Sequence, residues 1–141
     1  MSTDAGELKN YQVVITAFAE RHFIKKFSKK YRRAWDVTLD ALKAQSAHIE
    51  AMLKNKRIGA PIHATADNQH WILKHSFSVA GRNESPRASG NRAILYVDRD
   101  KHQAHIILVY HKSDLGDGDE TARWHALVKK GCPELIARFG L

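Results

Sequence analysis

Ile24, Phe27, Tyr31, Trp35, Leu39, Leu42, Ile49 and Leu53 recur at steps of three or four residues, with Ser46 as the one polar step in the series. At 3.6 residues per turn such side chains fall on one stripe, so the segment must be a helical layer seeking an apolar surface to cover. About thirty residues in one straight helix would run roughly 45 Å, which is long for a chain of 141 residues. The segment is therefore expected to fold as a helical hairpin, breaking near Arg32–Asp36 and ending at Gly59-Ala60-Pro61.

The surface to be covered is written in a different period. Trp71–Ala80 alternates, with Leu73, Phe77 and Val79 on one side and Lys74, Ser76 and Ser78 on the other, as a half-buried strand requires. Arg92–Val97 and Ala104–His111 read as two further strands joined across Asp98–Gln103. Tyr11–Phe18 is β-branched and apolar, the pattern of a strand buried on both faces. Residues 1–10 read as a loose lead-in, 60–70 as loop, and 81–91 as an exposed loop crowded with turn formers. Asp114–Asp119 is an acidic turn after which Asp119 or a neighbour caps a helix carrying Trp124, Leu127 and Val128 to near Gly131. Pro133 opens a last short helix through Phe139. The expected class is α+β in a single domain over 1–141: an N-terminal strand and helical hairpin packed on a small antiparallel sheet, with a C-terminal helix.

A hydrophobic share of 43% is enough for a core, and 23 Lys+Arg against 15 Asp+Glu leave a net charge of +8, which directs attention to anionic partners. The single cysteine, Cys132, excludes an internal disulfide and a Cys-based zinc cluster. His63, His70 and His75 have no zinc spacing; His105 and His111, six apart on one strand, read as sharing a face but lack a third ligand. No metal and no cofactor is expected. Phosphate-cradling, dinucleotide and Ser-His-Asp motifs are absent. The longest apolar runs, such as Ile106–Tyr110, fall far short of the roughly 18 residues of a membrane span. Met1–Asn10 has no basic and apolar leader pattern. The expectation is a cytoplasmic protein with no membrane partner.

The cations form two sets. Arg21, Lys25, Lys26, Lys29, Lys30, Arg32 and Arg33 lie together with no carboxylate among them. They read either as a solvated helix face or as a surface that tracks RNA phosphates, with Lys25, Lys26, Lys29, Lys30 and Arg33 as its contacts. Lys74, Arg82, Arg87, Arg92 and Lys112 lie in the antiparallel region, where side chains of one parity converge. Cations held on a rigid sheet grip phosphate and stabilise phosphoryl-transfer charge; taken singly, each could also be a loop solubiliser or a carboxylate's partner. His111, at a strand end beside Lys112 and near Asp114, is a candidate general acid or base.

The run Phe23–Tyr31 (FIKKFSKKY) followed by Trp35–Leu42 resembles the basic helical hairpin of the RelE/ParE superfamily of bacterial toxins. Gly90–Val97 (GNRAILYV) is similar to that family's strand in which an arginine opens an apolar segment. Ile106–Lys112 (IILVYHK) with Asp114 looks like the strand that follows. The resemblance covers about residues 11–115. It implies a toxin of a toxin–antitoxin pair, an endoribonuclease, ribosome-associated or free, that cleaves mRNA by metal-independent 2′-hydroxyl attack, and a cognate antitoxin as partner. Under it Arg92 clamps the phosphate, Lys112 is a second clamp or proton donor, His111 is the acid or base, and Lys74 and Arg82 match more loosely. Arg92→Ala and Lys112→Ala are then expected to cut cleavage by roughly two to three orders of magnitude with little change in stability. The alternatives are the superfamily's gyrase-inhibiting branch and a non-catalytic nucleic-acid-binding domain of the same fold. The chain departs from the family in its extra length at 44–71 and after 115. It departs also in the acidic turn up to Glu120, which either repels RNA or supplies a second proton-transfer group.

Overall fold

A computed structural model describes residues 10–55, 61–116 and 118–141. β1 (Gln12–Ile15) leads into α1 (Ala17–Ala19), a kinked segment over Glu20–Ile24 in which His22 and Phe23 leave helical geometry, and α2 (Lys25–Tyr31); α3 (Arg33–Ala47) and α4 (Ile49–Lys54) complete the helical layer. Then follow β2 (His63–Ala64), β3 (His70–Phe77), α5 (Pro86–Ser89), β4 (Asn91–Asp98), β5 (Gln103–His111), a 3₁₀ turn over Lys112–Leu115, α6 (Glu120–Gly131) and α7 (Pro133–Phe139).

The helical layer breaks at Arg32, which takes φ +53° between α2 and α3, and again at His48. Ile24, Phe27, Trp35, Leu42, Ser46 and Ile49 of the stripe are buried. The polar residue beside it is satisfied: Thr38 Oγ1 donates to the Ala34 carbonyl (2.7 Å) and accepts from Ala80 N–H (2.9 Å). That second bond ties α3 to the end of β3.

The five strands lie in the order β1-β5-β4-β3-β2. β2 to β5 pair antiparallel, whereas β1 joins β5 in parallel, so the sheet is mixed rather than purely antiparallel. Helices cover both faces. On one, Phe27, Trp35, Leu42 and Ile49 pack on Leu73, Phe77, Leu95 and Val109. On the other, Trp124, Val128, Leu135 and Ile136 pack on Ile72, Ile94, Leu108 and Tyr110. All eight residues of β4 are buried as a result.

Several expectations are corrected. The strand read over Tyr11–Phe18 stops at Ile15, because Thr16 is the N-cap of α1, its hydroxyl accepting from Ala19 N–H at 3.1 Å. It is a half-buried edge strand, not a doubly buried one. The stretches read as loops hold β2 and α5; α5 starts at Pro86 behind a Ser85 cap that accepts from Ala88 N–H, a signature of helix entry. The lead-in over 1–9 and the stop at Gly59-Ala60 lie outside the described residues. The shared face of His105 and His111 does not survive either. β4 Leu95 pairs with Ile106 but Ile94 with Leu108, so Ile107 is an extra residue that inverts the alternation. His105 lies opposite Tyr96, and His111 opposite Asn91 on the other side of the sheet.

Candidate active site

In the strand register Arg92 stands between Ser76 of β3 and Tyr110 of β5, and Lys74 is two residues before Ser76. One parity therefore puts Lys74, Arg92 and Tyr110 on the face covered by α6. α6 begins where Asp119 accepts from Thr121 N–H at 2.9 Å, and Glu120 is its first residue. The Glu120 side chain reaches back to the strands. Its Oε2 accepts from Tyr110 OH at 2.6 Å and lies 3.8 Å from Lys74 Nζ and 4.0 Å from Arg92 Nε. One carboxylate oxygen thus gathers a hydroxyl and two cations from three strands.

The members differ in freedom. Tyr110 is fully buried, and burial, with the Glu120 bond and charge, drives its phenol far above the ordinary tyrosine value. It remains a protonated donor. The Arg92 side chain is 11% exposed and its two Nη atoms are taken up by main-chain carbonyls: Nη1 donates to Asn91 (3.0 Å) and Pro86 (3.5 Å), Nη2 to Arg87 (3.3 Å). That leaves Nε, 4.0 Å from Glu120 Oε2, as the guanidinium nitrogen nearest the carboxylate. Lys74 and Glu120, with side chains 35% and 27% exposed, are open to solvent. The arrangement is a fixed hydroxyl and guanidinium behind a reachable ammonium and carboxylate. Such a set can take a proton, return one, and balance a developing dianion.

A hollow of about 1170 Å³ runs past this cluster along the outer edge of β3, lined by Lys74, Ser76, Ser78, Arg87, Arg92 and, from α3, Gln45. The edge is open there because the β2 ladder covers only Trp71 and Ile72.

The other sequence candidates lie elsewhere. His111 is held by Ser113, whose backbone N–H donates to Nδ1 (3.1 Å) and whose Oγ is 2.7 Å from it, while Nε2 donates to the Ser89 carbonyl (3.0 Å). Both ring nitrogens are spent on fastening the 3₁₀ turn and α5, on the face opposite Arg92. In this arrangement His111 caps the 3₁₀ turn. Lys112 is exposed, makes no ion pair among the described residues, and its backbone N–H donates to Gly90. Arg82 is exposed and lies over the Tyr31 ring at 5.1 Å, and Arg87 enters the site through its carbonyl and as a wall of the hollow. Lys25, Lys26, Lys29, Lys30 and Arg33 are exposed on the α2–α3 side of the sheet, across from Lys74 and Arg92; Lys26 pairs with Asp114 at 2.5 Å. The Arg92 guanidinium also serves main-chain carbonyls, those of Asn91 and Arg87 in particular, so Arg92→Ala should lower stability as well as any activity.

Tyr110 was not legible as a site residue, and Glu120 only within the acidic turn read as repelling RNA or supplying a second proton-transfer group. Tyr110 sits in an apolar strand run and reads as core; Glu120 ends an acidic turn 28 positions after Arg92 in the chain. The order of the strands is what brings them together. Among the described residues no group of three or more His, Cys, Asp or Glu is placed to hold a metal, and no helix is long and apolar enough to cross a membrane. Comparison with family models, curated proteins and solved structures gives no match for this chain.

Proposed function

We propose that the protein is an endoribonuclease that cleaves RNA by internal attack, acting as the toxin of a toxin–antitoxin pair with the RelE-like architecture its sequence resembles. The observation that carries this reading is the meeting of Lys74, Arg92 and Tyr110 at Glu120 Oε2. The Glu120 carboxylate takes the proton of a ribose 2′-hydroxyl, whose oxygen attacks the adjacent phosphorus. The 2′-O–P bond forms as the P–O5′ bond breaks, and the Lys74 ammonium gives a proton to the departing 5′-oxygen. The products are a 2′,3′-cyclic phosphate and a 5′-hydroxyl end. Arg92 Nε–H and Lys74 stabilise the pentacoordinate charge, and Tyr110 holds Glu120 in one orientation. A cognate antitoxin would silence the site by covering the hollow. The exposed α2 lysines supply long-range attraction for RNA rather than chemistry.

The test is incubation of end-labelled RNA with the purified chain, with and without ribosomes, alongside Glu120→Gln and Lys74→Ala. Cleavage with cyclic-phosphate ends, lost in both variants at unchanged melting temperature, supports the reading. Intact RNA under every condition overturns it. Inhibition of DNA supercoiling that survives both substitutions would point to the gyrase-directed branch instead.

A further inference from the structure

His63 on the outermost strand β2, paired with Ile72 two residues before Lys74, and His125 on α6, five residues after Glu120, meet with their Nε2 atoms 3.2 Å apart. The rings are tilted by 41° at a centroid separation of 5.3 Å, and Trp124 stands edge-on to His125 at 4.2 Å. Neither ring has another hydrogen bond among the described residues. Burial lowers the pKa of both imidazoles; for His63 the neighbouring His125 adds to it, and for His125 the Asp119 charge opposes it.

Two imidazole nitrogens on one tetrahedral ion, at bond lengths of roughly 2.0–2.1 Å, stand roughly 3.3–3.4 Å apart, and roughly 2.9 Å apart at a right angle. The observed 3.2 Å falls between these chords. We propose that His63 and His125 form a two-imidazole site for a divalent transition cation, Zn²⁺ foremost, that clips β2 to α6. No carboxylate or thiol joins the pair among the described residues, so water completes the coordination and hard cations such as Mg²⁺ are not retained. Sequence spacing gave no hint of it, because the two ligands are 62 residues apart. The site is independent of the nuclease reading, although the helix it anchors carries Glu120 at its first position.

The experiment titrates the metal-free full chain with ZnCl₂ near neutral pH, by calorimetry and by thermal melting. One ion is expected to bind saturably, with a melting temperature that climbs with its concentration. His63→Asn and His125→Asn should each weaken binding at least as much as losing an outer-shell partner does, roughly ten- to hundredfold, and abolish the climb. His48→Asn, at an exposed position between α3 and α4, should retain both. An identical zinc response in all three variants, or no saturable binding by the intact chain, overturns the proposal. Should either site variant fail to fold, imidazole NMR of the intact chain decides. Signals of His63 and His125 moving together support the site, and movement confined to other histidines refutes it.

Discussion

Lys74 and His75 are neighbours on β3 and live in different chemistry. His75 faces the α3 side and is 7% exposed; its Nε2 meets Gln45 Oε1 at 2.9 Å, Nδ1 has no partner, and burial pushes its pKa down to about 4. Lys74 faces the α6 side, beside a carboxylate and a second cation, with solvent within reach. The face that α3 seals tolerates a polar group only by keeping it neutral. The face that α6 leaves open at its rim can keep charges, because opposite signs meet there and water completes their solvation. Alternation along one strand, together with the helix that covers each side, separates a buried neutral histidine from a solvent-reachable lysine.

The largest expected effect tests the open face. Glu120→Gln and Lys74→Ala should each lower RNA cleavage by roughly two to three orders of magnitude in single-turnover assays; retained cleavage would reduce the cluster to a strap between α6 and the sheet. The sealed face is tested by acid. The unfolded chain protonates His75 near 6.5 and the folded chain only near 4, so the stability linked to this residue is intact above pH 6.5 and drains as pH falls toward 4. Urea unfolding across that window should lose about 3 kcal/mol, and His75→Phe should flatten the slope. Packing of α6 comes next. A Cβ at Gly131 would stand 2.1 Å from the Phe18 ring, so Gly131→Ala should cost about 1–3 kcal/mol in chemical denaturation. The smallest effect belongs to the exposed helix face. Lys25→Ala or Lys29→Ala should shift stability by less than about 0.5 kcal/mol, and each should reduce the salt slope of RNA binding by about one at most.

Much of the fold was legible because it is local. The stripe from Ile24 to Leu53 names its buried residues, and the alternation of β3 separates Lys74 from Leu73 and Phe77. The Asp119 cap marks where α6 starts, and the hairpin break falls at Arg32, within the span where it was expected. The site was legible in part. Arg92 and Lys74 stood out as cations on strands of compatible parity, but the extra Ile107 in β5 lies in an unbroken apolar run, where nothing signals a bulge. That residue carried His111 to the wrong face.

The amino-acid order alone settled the α+β class, the two periodicities and the excess of positive charge, since each depends on neighbours within a few residues. The strand order, the bulge and the docking of α6 decided which charges meet. Glu120 with Tyr110 and Arg92, and His63 with His125, are pairings made by packing, because a side chain's partner across a sheet depends on register and on what the covering helix can bury.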